Sequence, residues 1–356
     1  MDRMSKLRFG ICGLGCMGQS HFARLQGHPR AEVVAVCDRD AARRAGDWND
    51  TLGNLDLVKT QSGRAPLAGI RTYETPEALL ADRGVDVVLI TLPTPLHAPV
   101  AIAALKAGRH VLTEKPMAGQ ANDCTRMIQA AHAAGRTLMV AQCIRFWPQY
   151  ARIKQYVDEG RIGAVRFMTL HRLASPPTYS AGNWLRDAGQ SGGALLDLHV
   201  HDVDFVQHVL GVPSAIYAHG LTGGNGGVDH IVATYRYQGG PYAVIEGGWT
   251  FTPPWPFEMG VTVHGERGTL TWNSTRGQDV LCYHGGAEPE RIACPGDALR
   301  LELDYFIECV LNGRPVERCT PASSRASVAL AWLERRSVET GRTLHLSERL
   351  RAAWGV

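Results

Sequence analysis

No stretch of the 356-residue chain stays apolar long enough to cross a bilayer; Gly, Pro or a charged residue interrupts every run first. No block of Lys or Arg stands out and the formal net charge is +3, which offers little for a nucleic acid or an anionic membrane to hold. The nine Cys are odd in number, scattered and without a CxxC pair, so they read as reduced thiols and not as a disulfide framework or a zinc site. The opening MDRMSKLRFGICG has no signal-peptide apolar core and passes straight into a strand pattern. Together these absences point to a cytoplasmic protein with no metal, no nucleic-acid partner and no membrane partner. What remains is ordinary for a globular chain, 45% apolar and 20% charged residues, with a length suited to two domains.

The first third alternates strand and helix patterns. LRFGIC (7–12), EVVAVC (32–37), VDVVLI (85–90), HVLT (110–113) and TLMVAQ (137–142) are short apolar strands. Helical segments lie between them at 17–26, 98–108 and about 120–134. Short Val/Ile/Leu-rich strands with intervening helices predict a parallel sheet covered on both faces, wound right-handed into a doubly wound α/β domain. Residues 44–68 break the pattern and read as a solvated surface excursion.

The turn after the first strand reads GLGCMG, with Gly13, Gly15 and Gly18. A GxGxxG alone is a weak signal, but here it follows a strand and opens a helix, as dinucleotide binding requires. The first Gly permits the tight turn, the second lets backbone approach a pyrophosphate, and the third lets the helix pack on the sheet. The free N–H groups of the helix start attract phosphate. Asp38 closes the second strand, where a carboxylate can accept both ribose hydroxyls and repel a 2′-phosphate, which favours NAD over NADP. Arg39 beside it is a group that could take a 2′-phosphate instead. The expected cofactor contacts are therefore Gly13, Leu14, Gly15, Cys16, Met17, Gly18, Asp38 and Arg39.

The second half changes character. After a helix at about 148–159 come long alternating or aromatic-rich runs separated by Gly turns, which predict an open, mostly antiparallel sheet. Helices follow at 298–313 and 323–341, the latter capped by Ser323 or Ser324. The domains are then 1–143, a Rossmann domain, and 144–356, an α+β domain for substrate binding and oligomerisation.

Two stretches carry chemistry. SGGALLDLHVHDVDFVQHVLG (191–211) looks helical from Ala194, so Asp197 and His201 are four apart on one face. A carboxylate one turn from an imidazole can hold its tautomer and stabilise its cation, which suits a general base. His199 and His208 read as packing or surface residues, and no HExxH-like spacing supports a metal. TEKP (113–116) ends a parallel strand, as TLPTPLHAP (91–99) ends the one before it. Ligands of doubly wound sheets bind beyond those strand ends. Thr91, Pro93, Thr94, His97, Glu114 and Lys115 thus join the glycine loop on one rim and are expected cofactor contacts as well. Lys115 can stabilise a developing alkoxide, Pro116 fixes the turn, where a cis peptide can form, and Glu114 orients Lys115 or the backbone.

On GICGLGCMG with Asp38, TLPTPLHAPVAIAALKAGRHVLTEKPMA, RFWP, GGALLDLHVHD and NGRPVERCTPASSRASVALAWLERRSVETG, the chain closely resembles the glucose–fructose oxidoreductase / inositol dehydrogenase (Gfo/Idh/MocA) family over nearly its whole length. The resemblance implies NAD(P)-dependent oxidation or reduction of sugars, inositols and related polyols. It implies Lys115, Asp197 and His201 as the catalytic group, with Gly192 and Gly193 as the glycine pair before it. The chain departs from the family at 44–68 and at His199, where many members have Gly; the spacing selects His201 as base. Arg145, Trp147, His171, Asn183 and Trp184 are candidate substrate contacts beside Lys115, Asp197 and His201, because aromatic and amide groups suit sugar faces and hydroxyls. Two other readings are an NAD-dependent glycoside-cleaving or epimerising enzyme with an internal redox cycle, and a non-catalytic dinucleotide sensor. A homodimer or homotetramer is expected through the open face of the second sheet.

Overall fold

The computed structural model describes residues 6–48, 64–178, 180–224 and 226–349. The chain runs β1 (Leu7–Cys12), α1 (Cys16–Leu25), β2 (Ala31–Cys37), α2 (Ala41–Arg44), β3 (Arg71–Tyr73), α3 (Pro76–Leu80), β4 (Val87–Ile90), α4 (His97–Lys106), β5 (His110–Glu114), α5 (Ala121–Ala134) and β6 (Leu138–Ala141). The six strands form a parallel sheet in the order β3-β2-β1-β4-β5-β6. The order reverses between β1 and β4, so the loops after these two strands flank the crevice where such sheets bind ligands. Phe9, Ile11, Val88, Leu89, Val111 and Leu112 are fully buried, as a sheet covered on both faces demands.

Short elements here are held by their caps. Asp40 accepts from the N–H groups of Ala42 and Arg43 at the start of α2, and Thr75 accepts from Ala78 at the start of α3, with Pro76 in the first turn. β3 and α3 were not expected, because a three-residue edge strand whose side chains face water leaves no apolar run to read. The excursion at 44–68 is only partly described, and 49–63 lie outside the described residues. At its described ends Gly46, Trp48 and Ala65 are buried between exposed neighbours. Trp48 is buried edge-on against Phe22 at 5.0 Å, and Ala65 N–H donates to Gly46 O.

The chain continues through α6 (Pro148–Asp158), β7 (Val165–Leu173), α7 (Ala188–Ser191), a π-helical turn (Leu195–His199), α8 (Val200–Leu210), β8 (Ala215–Thr222), β9 (Val228–Arg236), β10 (Tyr242–Gly248), β11 (Glu258–Gly265), β12 (Thr269–Asn273), β13 (Val280–Tyr283), β14 (Glu290–Ile292), α9 (Ala298–Leu311), α10 (Pro321–Thr340) and β15 (Leu344–His345). Nine strands make one open mixed sheet, β14-β13-β12-β11-β7-β10-β9-β8-β15, antiparallel except where β10 pairs with β7. α10 begins at Pro321, so Ser323 and Ser324 are buried inside the helix and do not cap it.

The chain divides into two compact units. The first comprises residues 1–141, 178–184 and 299–321; the second comprises 142–177, 185–298 and 322–356. The first crossing falls two residues before the expected cut at 143, but the chain then returns twice to the first unit. α9 is bound there by the Phe9–Phe306 ring pair at 6.3 Å and by His28 Nε2 to Asp304 at 2.8 Å. Nothing in a run of amphipathic helix announces which sheet it will cover.

In the second unit Tyr150 and Ile153 of α6, Val203, Phe205 and Val206 of α8, and Leu330 and Ala331 of α10 pack on one sheet face. That core also buries two carboxylates of α8. Asp202 takes Arg172 Nε at 2.8 Å and Nη2 at 3.1 Å. Asp204 takes Arg145 at 2.6 and 2.8 Å and the Ser327 hydroxyl at 2.8 Å. Removing one member of such a pair strands the other charge in the core. Arg172→Ala is therefore expected to cost roughly 3–5 kcal/mol in urea unfolding, and Asp202→Ala a similar amount. A loss under roughly 1 kcal/mol in both variants would mean water reaches the pair.

Candidate active site

The glycine loop has the form a pyrophosphate cradle needs. Gly13 has φ 100°, and a Cβ there would lie 2.7 Å from Thr91 O. A Cβ on Gly18 would lie 1.9 Å from Gly13 O, so helix and loop touch only because both residues are glycine. Around Gly15 there is nothing within 4 Å, which leaves its backbone open to a ligand. Gly15 is the N-cap of α1 and offers no side-chain cap to the first N–H groups, and no acidic residue stands in that turn. Asp38 Oδ2 accepts from Leu14 N–H at 2.7 Å and its Oδ1 from Asp40 N–H at 2.9 Å, so the carboxylate is fixed at the end of β2 beside the loop. Arg39 is exposed, and Arg43 Nη1 stands 4.0 Å from Asp38 Oδ2. These residues fit a dinucleotide: free N–H groups for the phosphates and an oriented carboxylate for the ribose. Cys16 is partly exposed on the loop, and burial, then the Glu114 charge, pushes its thiol up to about 11.

The EKP turn is held from below. The Lys115–Pro116 peptide is cis. Glu114 is buried; its Oε1 meets His21 Nε2 at 2.9 Å and its Oε2 accepts from Lys115 N–H at 3.1 Å. Burial pushes the Glu114 carboxyl up, but His21, the Lys115 charge and the Lys115 N–H outweigh it and hold the carboxyl below its ordinary value. Glu114 thus accepts from the backbone of Lys115. His97 lies elsewhere than expected of a cofactor contact. Its ring is 1% exposed, with Nδ1 2.8 Å from Pro116 O and Nε2 2.8 Å from Leu92 O. It ties the loop after β4 to the EKP turn and turns away from solvent. Thr91 Oγ1 donates to Gly13 O at 2.6 Å and Thr94 is buried; Pro93 precedes the short helical turn Thr94–Leu96.

Asp197 and His201 belong to the second unit, and their local structure differs from the expected continuous α-helix. Val200 N–H bonds Leu195 O, five residues back, so the turn from Leu195 to His199 is a π turn and the α-helix begins at Val200. Gly192 and Gly193 precede it at φ 79° and 72°. His201 is 8% exposed and Asp197 half-buried.

Of the expected substrate contacts, Arg145 and His171 fall in other roles. Arg145 is 3% exposed with its guanidinium on Asp204, because the RFWP turn faces α8. His171 alternates with Arg172 along β7 and so stands on the opposite sheet face from Asp202, beside Glu258 at 3.2 Å and Asn273 at 3.3 Å. Trp147 packs half-buried on the core at the start of α6. Asn183, exposed at φ 54°, and Trp184 lie in the segment that returns to the first unit.

The sequence reading missed His21, which no spacing links to residue 114, and Glu302 on α9. Glu302 is fully buried, and neither carboxyl oxygen has a hydrogen-bond partner among the described residues. Burial, then the Glu114 charge, raises its pKa well above the ordinary value. Among the described residues one group of three donors could hold a metal: Cys282, His284 and Glu290, of which Glu290 already accepts Tyr156 Oη at 2.8 Å. No helix among the described residues is long and apolar enough to cross a membrane.

Fold and loop together define an oxidoreductase with an NAD-binding Rossmann domain. Residues 7–142 match the family model described as oxidoreductase family, NAD-binding Rossmann fold, and residues 150–271 match the GFO/IDH/MocA C-terminal domain. The chain belongs to the Gfo/Idh/MocA family. It is 26% identical to myo-inositol 2-dehydrogenase of Thermotoga maritima over 96% of this chain and 99% of that one. It is 28% identical to 2,7-anhydro-N-acetylneuraminate hydratase of Escherichia coli over 74% and 67%. The WlbA dehydrogenase of Bordetella pertussis, solved with NADH and UDP-GlcNAcA, superposes with a TM-score of 0.78 at 27% identity, over 96% of this chain and 99% of that one.

Gly15→Ala should keep the melting temperature and weaken NAD binding about tenfold by fluorescence titration, whereas Gly18→Ala should lower both. Equal melting losses in the two variants would contradict this account of the loop. Because the folded pKa of Glu302 is raised, the wild type loses stability as pH rises above about 4.3, the unfolded carboxyl value. Glu302→Gln should therefore melt above the wild type at pH 8 and level with it at pH 4. A lower melting temperature at pH 8 would show that the carboxylate has a partner.

Proposed function

We propose that the protein is an NAD-dependent dehydrogenase acting on a secondary alcohol of a sugar, inositol or related polyol. The observation that carries this reading is the lysine turn beyond β5, pinned by His97 and Glu114 on the rim that also holds the glycine loop. The activities named for the relatives, above all the inositol dehydrogenase, support the substrate class.

NAD, when bound, supplies the hydride acceptor. His201, with Asp197 holding its tautomer and balancing its charge, takes the proton of the substrate hydroxyl at the imidazole. The Lys115 ammonium stabilises the oxygen as negative charge builds there. The proton therefore ends on His201, and the alcohol carbon becomes a carbonyl. Burial of His97 and Glu114 beneath the turn keeps water from competing for the backbone that aims Lys115. Asn183 and Trp184 are retained as substrate contacts. The half-exposed outer sheet face, with Phe167 stacked on Tyr242 at 5.5 Å, is proposed as the surface of a homodimer or homotetramer.

The hydratase name of one relative favours a second reading, in which the same residues oxidise and re-reduce a glycoside with no net NADH. NADH absorbance should rise with NAD on a panel of inositols, free sugars and glycosides. Lys115→Ala and His201→Ala should each lower kcat/KM by roughly 10²–10⁴. Product formation without NADH would select the second reading, and full activity in His201→Ala would overturn the assignment of the base.

A further inference from the structure

β13 and β14 form the hairpin at one edge of the nine-stranded sheet, and Cys282 stands directly opposite Glu290 across it. Opposite residues of an antiparallel pair put their side chains on the same face. His284 follows the strand and brings its Nε2 to 3.3 Å from Glu290 Oε2. A thiol, an imidazole and a carboxylate thus converge, with one donor atom of each within 4.8 Å of the other two. Cys282 is 2% exposed and belongs to the core that contains Tyr156 of α6, whereas His284 and Glu290 are exposed.

The carboxylate is held by its other oxygen. Glu290 Oε1 accepts the Tyr156 hydroxyl at 2.8 Å, and Arg161 Nη1 lies 3.9 Å from the same atom, its guanidinium over the Tyr156 ring at 4.4 Å. Oε2 is the oxygen turned to the imidazole. A ligating carboxylate has this arrangement, with a hydrogen bond from outside the site to fix its direction. An exposed His–Glu pair adds little stability. The thiol beside it is a third donor for which an ion pair has no use and a metal does.

Thiolate, imidazole and carboxylate are donors that zinc takes, and the sulfur selects against Mg²⁺ and Ca²⁺, which are held by oxygen. Neighbouring donors around a tetrahedral zinc are about 3.3–3.8 Å apart. The His284–Glu290 spacing already meets that value, and the spacings to the thiol, at most 4.8 Å, close to it by movement of roughly 1 Å. The exposed imidazole can turn that far. Three protein ligands leave the fourth position to water. No spacing in the amino-acid sequence marks the set, because the carboxylate arrives by strand pairing.

We propose that Cys282, His284 and Glu290 form a binding site for a single zinc ion, which ties the edge strand β14 to β13. As the sulfur–zinc bond forms, the thiol proton leaves to solvent. The untagged full-length protein is stripped with EDTA under a phosphine reductant and titrated with Co²⁺. A thiolate-to-cobalt charge-transfer band in the near ultraviolet should reach a plateau at one equivalent and disappear when Zn²⁺ is added. Cys282→Ser should abolish the band. In competition with a chromophoric chelator, His284→Gln and Glu290→Gln should each weaken zinc by on the order of a hundredfold, and Tyr156→Phe by about tenfold.

No band in the wild type would overturn the proposal. A band that survives Cys282→Ser would do the same, since it would belong to another of the nine cysteines. If Cys282→Ser does not fold, the two exposed ligands decide: unchanged zinc affinity in both His284→Gln and Glu290→Gln would refute the site. Neither NAD nor an alcohol enters the test, so its outcome is independent of the dehydrogenase reading.

Discussion

α8 carries two carboxylates into a hydrocarbon core, and the second unit depends on how that is resolved. Asp202 and Asp204 are both fully buried, and each is met by a guanidinium with two contacts, Arg172 from β7 and Arg145 from the turn before α6. A buried charge pair tolerates little displacement, because its attraction offsets desolvation only when the geometry is kept. The two pairs fix α8 against strand and turn in rotation as well as height. The π turn adjoins this helix and His201 lies within it, so the proposed proton acceptor sits on an element held against rolling.

The first unit achieves the same end with backbone acceptors. His97 and Glu114 hold the EKP turn by contacts to Leu92 O, Pro116 O and Lys115 N–H, and these do not depend on the lysine side chain. The backbone of Lys115, the proposed alkoxide-stabilising residue, is then fixed by contacts that do not involve its side chain. His97 is under opposing demands. Two carbonyl oxygens at 2.8 Å each call for an N–H, yet burial, the largest influence, draws its pKa down. Glu302, buried nearby with no hydrogen-bond partner among the described residues, has its pKa raised by burial and the Glu114 charge, while His21 and Lys115 hold that of Glu114 down, so the two carboxyls are pushed in opposite directions.

The alternation of β7 separates what the amino-acid sequence placed together. His171 and Arg172 are neighbours in the chain, but successive side chains of a strand leave by opposite faces. Arg172 goes to the helix-covered core and His171 to the outer face with Glu258 and Asn273. A polar residue near a catalytic segment in sequence is therefore no guide to the substrate face until strand register is known.

The sequence by itself determined the parallel sheet, the glycine loop with Asp38, and the placing of Lys115 at a strand end. These rest on local rules: apolar runs, the steric permission of glycine, and the helix start that follows. It also marked Asp197 and His201 by their spacing. Only the tertiary structure decided that their helix begins with a π turn, that Arg145 and His97 point inward, that α9 rejoins the first unit, and that Glu302 and Glu334 are buried. The placing of Arg145 and of α9 depends on contacts between residues far apart in the chain, Arg145 with Asp204 and Phe306 with Phe9. Polar residues obey no periodicity when buried, since their position is set by the partner that satisfies them and not by the face of their own element.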